Sequence, residues 1–103
     1  MTREEFAAGL DAEMQAIKEL FAIKNGSYGK GADVFHNFRA SAERVHGHAD
    51  LGTMFTVLYT YLDKHLVALA NGGPLDPEFE DRLRDVIVYS LLALGMYRAE
   101  TNG

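Results

Sequence analysis

Between two apolar stretches, Leu51 to Ala70 and Val86 to Tyr97, the chain carries Asn71-Gly72-Gly73-Pro74-Leu75-Asp76-Pro77. No helix or strand runs through such a segment, because proline lacks the N–H and glycine leaves the backbone free to turn. Asp76 followed by Pro77 is also a start signal, a capping carboxylate and then a proline pre-set for the first helical position. Two apolar helices joined by so short a break become antiparallel neighbours, and their register can be counted from the break. The rest of the chain has to complete that hairpin. With 103 residues it supplies one domain, residues 1–103. At 48 % hydrophobic and 24 % charged it has the composition of a chain that buries a core. It holds no cysteine, so disulfides, thiolate catalysis and zinc–thiolate or iron–sulfur sites are excluded. A net charge of −5 argues against nucleic acid as a partner, since that needs a basic surface.

The pattern predicts four helices and no strand. Thr2 and Glu5 fit a capping box, after which Phe6, Leu10, Met14, Ile17 and Phe21 recur at helical spacing. This first helix is expected to end near Lys24, with Asn25-Gly26 as its stop and Asn25 to Gly31 as a loop. Asp33 is expected to cap the second helix, whose stripe is Phe35, Phe38, Ala42 and Val45 and whose end is His46-Gly47-His48. Asp50 caps a third helix running to about Ala70, and the fourth runs from Asp76-Pro77 to about Arg98. From Val86 to Tyr97 that helix is apolar nearly all round, apart from Ser90 and Gly95. A helix without a polar face is surrounded on all sides, and three short neighbours can hardly do that. The expectation is a bundle completed by a second copy, a homodimer. Asp63, Lys64 and His65 interrupt the longest apolar run, which argues for a protein interior and against a membrane. The charged Thr2-Arg3-Glu4-Glu5 start is unlike a secretory leader, so the expected location is the cytoplasm.

Charged residues within these apolar helices are the candidates for chemistry. Asp81 and Asp85 lie four apart, on one helix face, where like charges need a cation between them. Hard oxygen donors of this kind suit Mg²⁺ or Mn²⁺. The plainer alternative is a solvated helix start, with Arg84 paired to Glu80 or Asp81 and Arg82 to Asp85. Counted from the break, Asp63 and Asp85 reach similar depth, so Asp63, Lys64, Asp81 and Asp85 form either a metal and phosphate site or a polar layer that fixes the bundle's register. His65 reads as a hydrogen-bonded interior residue and His36 as exposed. His46 and His48 sit where a helix C-terminus favours cations. Gly26, Gly29, Lys30 and Gly31 do not make a P-loop: no Ser or Thr follows the lysine, and a helix precedes the loop where a strand is needed.

The order of short motifs adds a resemblance. Lys24-Asn25 with Tyr28-Gly29, Asn37-Phe38 with Ser41-Ala42, Asp63-Lys64, and Asp81 with Asp85 and Tyr89 follow one another along most of the chain. In this the sequence resembles the phage family called nucleotide modification associated domain 1, itself similar to the all-α, MazG-like nucleoside triphosphate pyrophosphatases. The resemblance implies a four-helix MazG-like bundle and a dimer in the host cytoplasm. It implies a nucleotide as ligand and Mg²⁺ (or Mn²⁺) as cofactor. Asp63, Asp81 and Asp85 would hold the metal, with Asp63 and Asp85 catalytic. Lys64 would neutralise a phosphate, and Lys24, Asn25, Tyr28 and Tyr89 would line the nucleotide. Hydrolysis would give a monophosphate and pyrophosphate. Val88 stands where the family carries an asparagine, and the EExxE helix of the pyrophosphatases is not visible, since Asp63 stands alone on the third helix. The alternative is a non-catalytic helical binding or structural phage protein, in which the acidic and lysine layer is structural.

Overall fold

The computed structural model describes the backbone of residues 1–28 and 33–102 and the side chains of residues 1–22 and 33–101. Among the described residues the chain is all-helical, with no strand. Its elements are α1 (Arg3–Tyr28), α2 (His36–His46), α3 (Leu51–Gly72), a 3₁₀ turn (Gly73–Leu75) and α4 (Phe79–Asn102). The chain divides into two compact units, Met1–Val34 and Phe35–Gly103.

The first unit is built on α1. Thr2 accepts the Glu5 N–H at 3.0 Å on its hydroxyl, half of the expected capping box. The helix does not stop at Lys24: it continues through Asn25 and Gly26 to Tyr28. A single glycine costs a helix about 1 kcal/mol relative to alanine, which is too little to end one already propagating. Phe6, Leu10 and Met14 form an exposed stripe on this helix. Gly29, Lys30 and Gly31 lie outside the described residues.

The second unit contains α2, α3 and α4. Its helix ends follow local chemistry. Gly47 closes α2 in the left-handed region, with φ 84°, and its N–H reaches the Glu43 carbonyl at 2.9 Å. Asp50 accepts the Thr53 N–H at 2.8 Å and so caps α3. That hydrogen bond, with the Thr53 hydroxyl and His48 beside it, holds the Asp50 carboxyl below its ordinary range. Asp76 accepts the Glu78 N–H at 2.9 Å at the entry to α4, and this bond likewise lowers its carboxyl. Asp33 does not cap α2. That position belongs to Phe35, with no side-chain cap, because the helix begins at His36, three residues past the carboxylate.

The break between α3 and α4 lies later than the sequence suggests. The α3 helix runs through Asn71 to Gly72, and α4 begins at Phe79 and not at Pro77, because Asp76 first closes a turn on the Glu78 and Phe79 N–H groups. The α4 helix then runs past Arg98 to Asn102. Gly73 has φ 59° and ψ −166°, a conformation open essentially to glycine alone. At Gly72 a Cβ would come 2.5 Å from Asp76 Oδ2. Gly73→Ala should therefore cost about 1–3 kcal/mol, read as a lower urea midpoint at unchanged slope. An unchanged midpoint would show that the turn relaxes without penalty.

The core is small. Ala42 of α2, Met54 and Leu58 of α3 and Met96 of α4 are fully buried, and Phe35, Phe38, Leu51, Val57, Tyr89, Leu92 and Ala93 pack around them. Val45, the last of the expected α2 stripe, is exposed. Arg39 ties α2 to α4 through Glu100 at 3.0 Å. On α4, the apolar face turned away from the core is open: Leu83, Ile87, Leu91, Leu94 and Tyr97 are exposed. No described helix is long and apolar enough to cross a membrane.

Candidate functional site

The antiparallel register of α3 and α4 sets one layer of polar and aromatic side chains below the core. His65 is on α3, one turn beyond Tyr61, itself one turn after the buried Leu58. Asp85 is on α4, one turn before Tyr89. These four therefore meet. His65 Nδ1 stands 3.5 Å from Asp85 Oδ2, both side chains about a quarter to a third exposed (22 % and 33 %). The His65 ring lies 5.3 Å from that of Tyr89, tilted by 35°. Tyr89 and Tyr61 stack at 6.4 Å with their planes within 10°. Phe38 of α2 closes the row with its edge to Tyr61, at 6.2 Å. The carboxylate thus faces the imidazole, the imidazole lies against Tyr89, and the row continues through Tyr61, which stays exposed, to Phe38.

The other expected site residues are placed differently. Asp63 and Lys64 are exposed on α3. The pairs His65–Asp85 and Tyr61–Tyr89 set Asp63 between them, and two residues along a helix turn a side chain by roughly 200°, so His65 and not Asp63 meets Asp85. The Asp81 carboxylate receives Arg84 Nη1 at 3.2 Å, and the same guanidinium reaches Glu80 at 3.1 Å. Arg82 does not pair with Asp85. It binds Asp76 at 3.3 Å and Glu78 at 2.9 Å, because a glutamate one turn toward the N-terminus and the Asp76 carboxylate of the turn before α4 both lie within its reach. Among the described residues no group of three or more histidines, aspartates or glutamates is placed to hold a metal ion. Lys24, Asn25 and Tyr28 belong to α1 by backbone, and their side chains lie outside the described residues.

The histidines divide by environment. His48 accepts or donates at Nδ1 to the Thr53 hydroxyl at 2.9 Å and stands 3.0 Å from Asp50, so it belongs to the α3 cap. Both contacts use one nitrogen, which is not the arrangement of a nucleophile–base–acid relay. His36 is half-buried, where the sequence suggests exposure. Ser90 donates to the Val86 carbonyl at 2.8 Å, which occupies its hydroxyl within the helix. Tyr61 is the member of the layer that the sequence reading omits. Its signal is the spacing Leu58, Tyr61, His65, which continues the buried face of α3 toward the break.

Comparison of the chain with protein-family models, with curated proteins and with solved structures finds no match.

Proposed function

We propose that this chain binds a nucleoside triphosphate with Mg²⁺ (or Mn²⁺) at the His65–Asp85–Tyr89–Tyr61 layer. The observation that carries the reading is Asp85, a half-buried carboxylate between α3 and α4, on the same layer as an exposed aromatic ring. Tyr61 offers the flat apolar surface on which a base stacks. Lys64, three residues along α3, is the cation for a phosphate. The family resemblance adds Tyr89 as a nucleotide-lining residue of this layer; Lys24, Asn25 and Tyr28, which it also implies, belong to the other unit and their side chains lie outside the described residues.

The metal donors narrow this reading. Asp81 is engaged by Arg84 and Asp63 is exposed, so Asp63, Asp81 and Asp85 do not make a three-carboxylate cage. Mg²⁺ needs no such cage: it is commonly held by one or two carboxylates together with substrate phosphates. In this reading the ion arrives with the triphosphate and Asp85 is the carboxylate it meets. The less demanding form is a binding module, for which one carboxylate is enough; that it acts as a homodimer in the cytoplasm and is linked to nucleotide modification in a phage is what the family resemblance adds to this proposal. A pyrophosphohydrolase is the more demanding form, in which Asp63 and Asp85 act in catalysis.

The second reading, a structural layer in a helical binding or assembly protein, is favoured by the satisfaction of Asp85 through His65 and of Asp81 through Arg84. Pyrophosphate release from a panel of ribo-, deoxyribo- and modified nucleoside triphosphates separates these forms. Release from one member, lost in chelator, establishes the hydrolase. Binding without release establishes the module. Neither binding nor release leaves the layer structural.

A further inference from the structure

The outward face of α4 repeats on a strict seam. Glu80, Arg84, Ile87, Leu91, Leu94 and Arg98 follow one another at alternating steps of four and three, the spacing that keeps side chains along one side of a helix paired with another. Leu83 flanks this seam. Leu83, Ile87, Leu91 and Leu94 are each between 39 % and 43 % exposed, so the row is continuous and uncovered. Its two ends carry opposite charges: Glu80, with its side chain 84 % exposed, at the start, and the exposed Arg98 at the finish.

We propose that this seam is the surface on which two copies of the chain associate, α4 against α4, antiparallel about a two-fold axis. The proposal rests on the homodimer given above and adds the surface and its register. A two-fold interface must complement itself, and this one does so in a single register. Setting Glu80 opposite the second copy's Arg98 also sets Ile87 opposite the second copy's Leu91. It sets Arg84 opposite the second copy's Leu94, with the arginine stem over the leucine and the guanidinium still turned to Glu80 and Asp81. Each of these contacts occurs twice. A parallel pairing would instead put Glu80 against Glu80 and Arg98 against Arg98. The apolar centre supplies the association and the charged ends choose the direction, as charges at an interface rim do.

The test uses the full chain, which has no cysteine of its own. Sedimentation equilibrium should show a dimer for the unaltered protein and a monomer for Leu91→Glu, with unchanged far-UV circular dichroism because Leu91 is outside the core. A short bismaleimide should cross-link the double variant Glu80→Cys/Arg98→Cys and should leave Glu80→Cys alone uncross-linked. In the antiparallel register the two copies of residue 80 lie about 27 Å apart along the axis at 1.5 Å per residue. Cross-linking of Glu80→Cys alone would overturn the register. A dimer that survives Leu91→Glu would overturn the surface while leaving the homodimer in place. A monomeric unaltered protein would overturn both.

Discussion

Leu58→Ala should remove about 2–5 kcal/mol of stability, the range for truncating a buried leucine whose cavity the surroundings cannot refill. Leu58 is fully buried, at 0 % exposure, in the middle of α3, with Ala42, Met54 and Met96 as its equally buried companions. These neighbours come from three helices, so no single side chain can move in without shifting a helix. The effect is large against what is available. A unit the size of Phe35–Gly103 holds roughly 3–10 kcal/mol at the usual stability per residue. Urea unfolding followed by circular dichroism should show a much lower midpoint, or a unit already partly unfolded in buffer. Leu75→Ala is the control, because Leu75 is 96 % exposed in the turn, and its midpoint should not move. Equal small losses from both leucines would mean that the four buried residues are not the core.

Asp85→Asn should abolish Mg²⁺-dependent nucleotide binding and leave the fold in place. The substitution keeps the shape of the side chain and removes its charge. It keeps an acceptor or donor facing His65 across 3.5 Å, both side chains being part-exposed, so the change is small in stability terms. It loses the one carboxylate of the layer that can meet a cation. Binding should then fall below detection in calorimetry, while the melting temperature shifts only slightly. The opposite pattern, unchanged binding with a lowered melting temperature, would make Asp85 a structural residue.

Much of the second unit was legible because its signals are local. Asp50 with Thr53, and Gly47, each act within a few residues and do in the structure what their chemistry predicts, while the Asn71–Pro77 break is present with shifted edges, α3 running on to Gly72 and α4 beginning at Phe79. The misplaced boundaries have the same origin. Asn25-Gly26 is a local signal too, but a helix stops only where an alternative for its backbone is better than another turn, and there propagation decided the outcome; at Asp33 the error runs the other way, since α2 begins only at His36 with Phe35 in the cap position. The candidate site was legible in depth and not in direction. Counting from the break placed Asp63 and Asp85 at one level, and α3 does bring a partner to Asp85 there. The partner is His65, because rise along a helix fixes level and the turn of about 100° per residue fixes face. Arg82 and Arg84 show the limit differently. Each had several carboxylates within a turn, and only Arg84's partners were those expected, since the Asp76 carboxylate at the α4 entry draws Arg82. The open seam of α4 was implicit in a helix with no polar face, but which residues it leaves exposed follows only once α3 has taken the opposite side.

The central claim is that the layer around Asp85 receives a nucleotide. The most direct measurement is a calorimetric titration of the full chain with individual nucleoside triphosphates, with Mg²⁺ present and again with the ion removed by chelator. The account predicts saturable binding of at least one triphosphate, lost in chelator. No heat from any member of the panel in the presence of Mg²⁺, or binding indifferent to the metal, would contradict it.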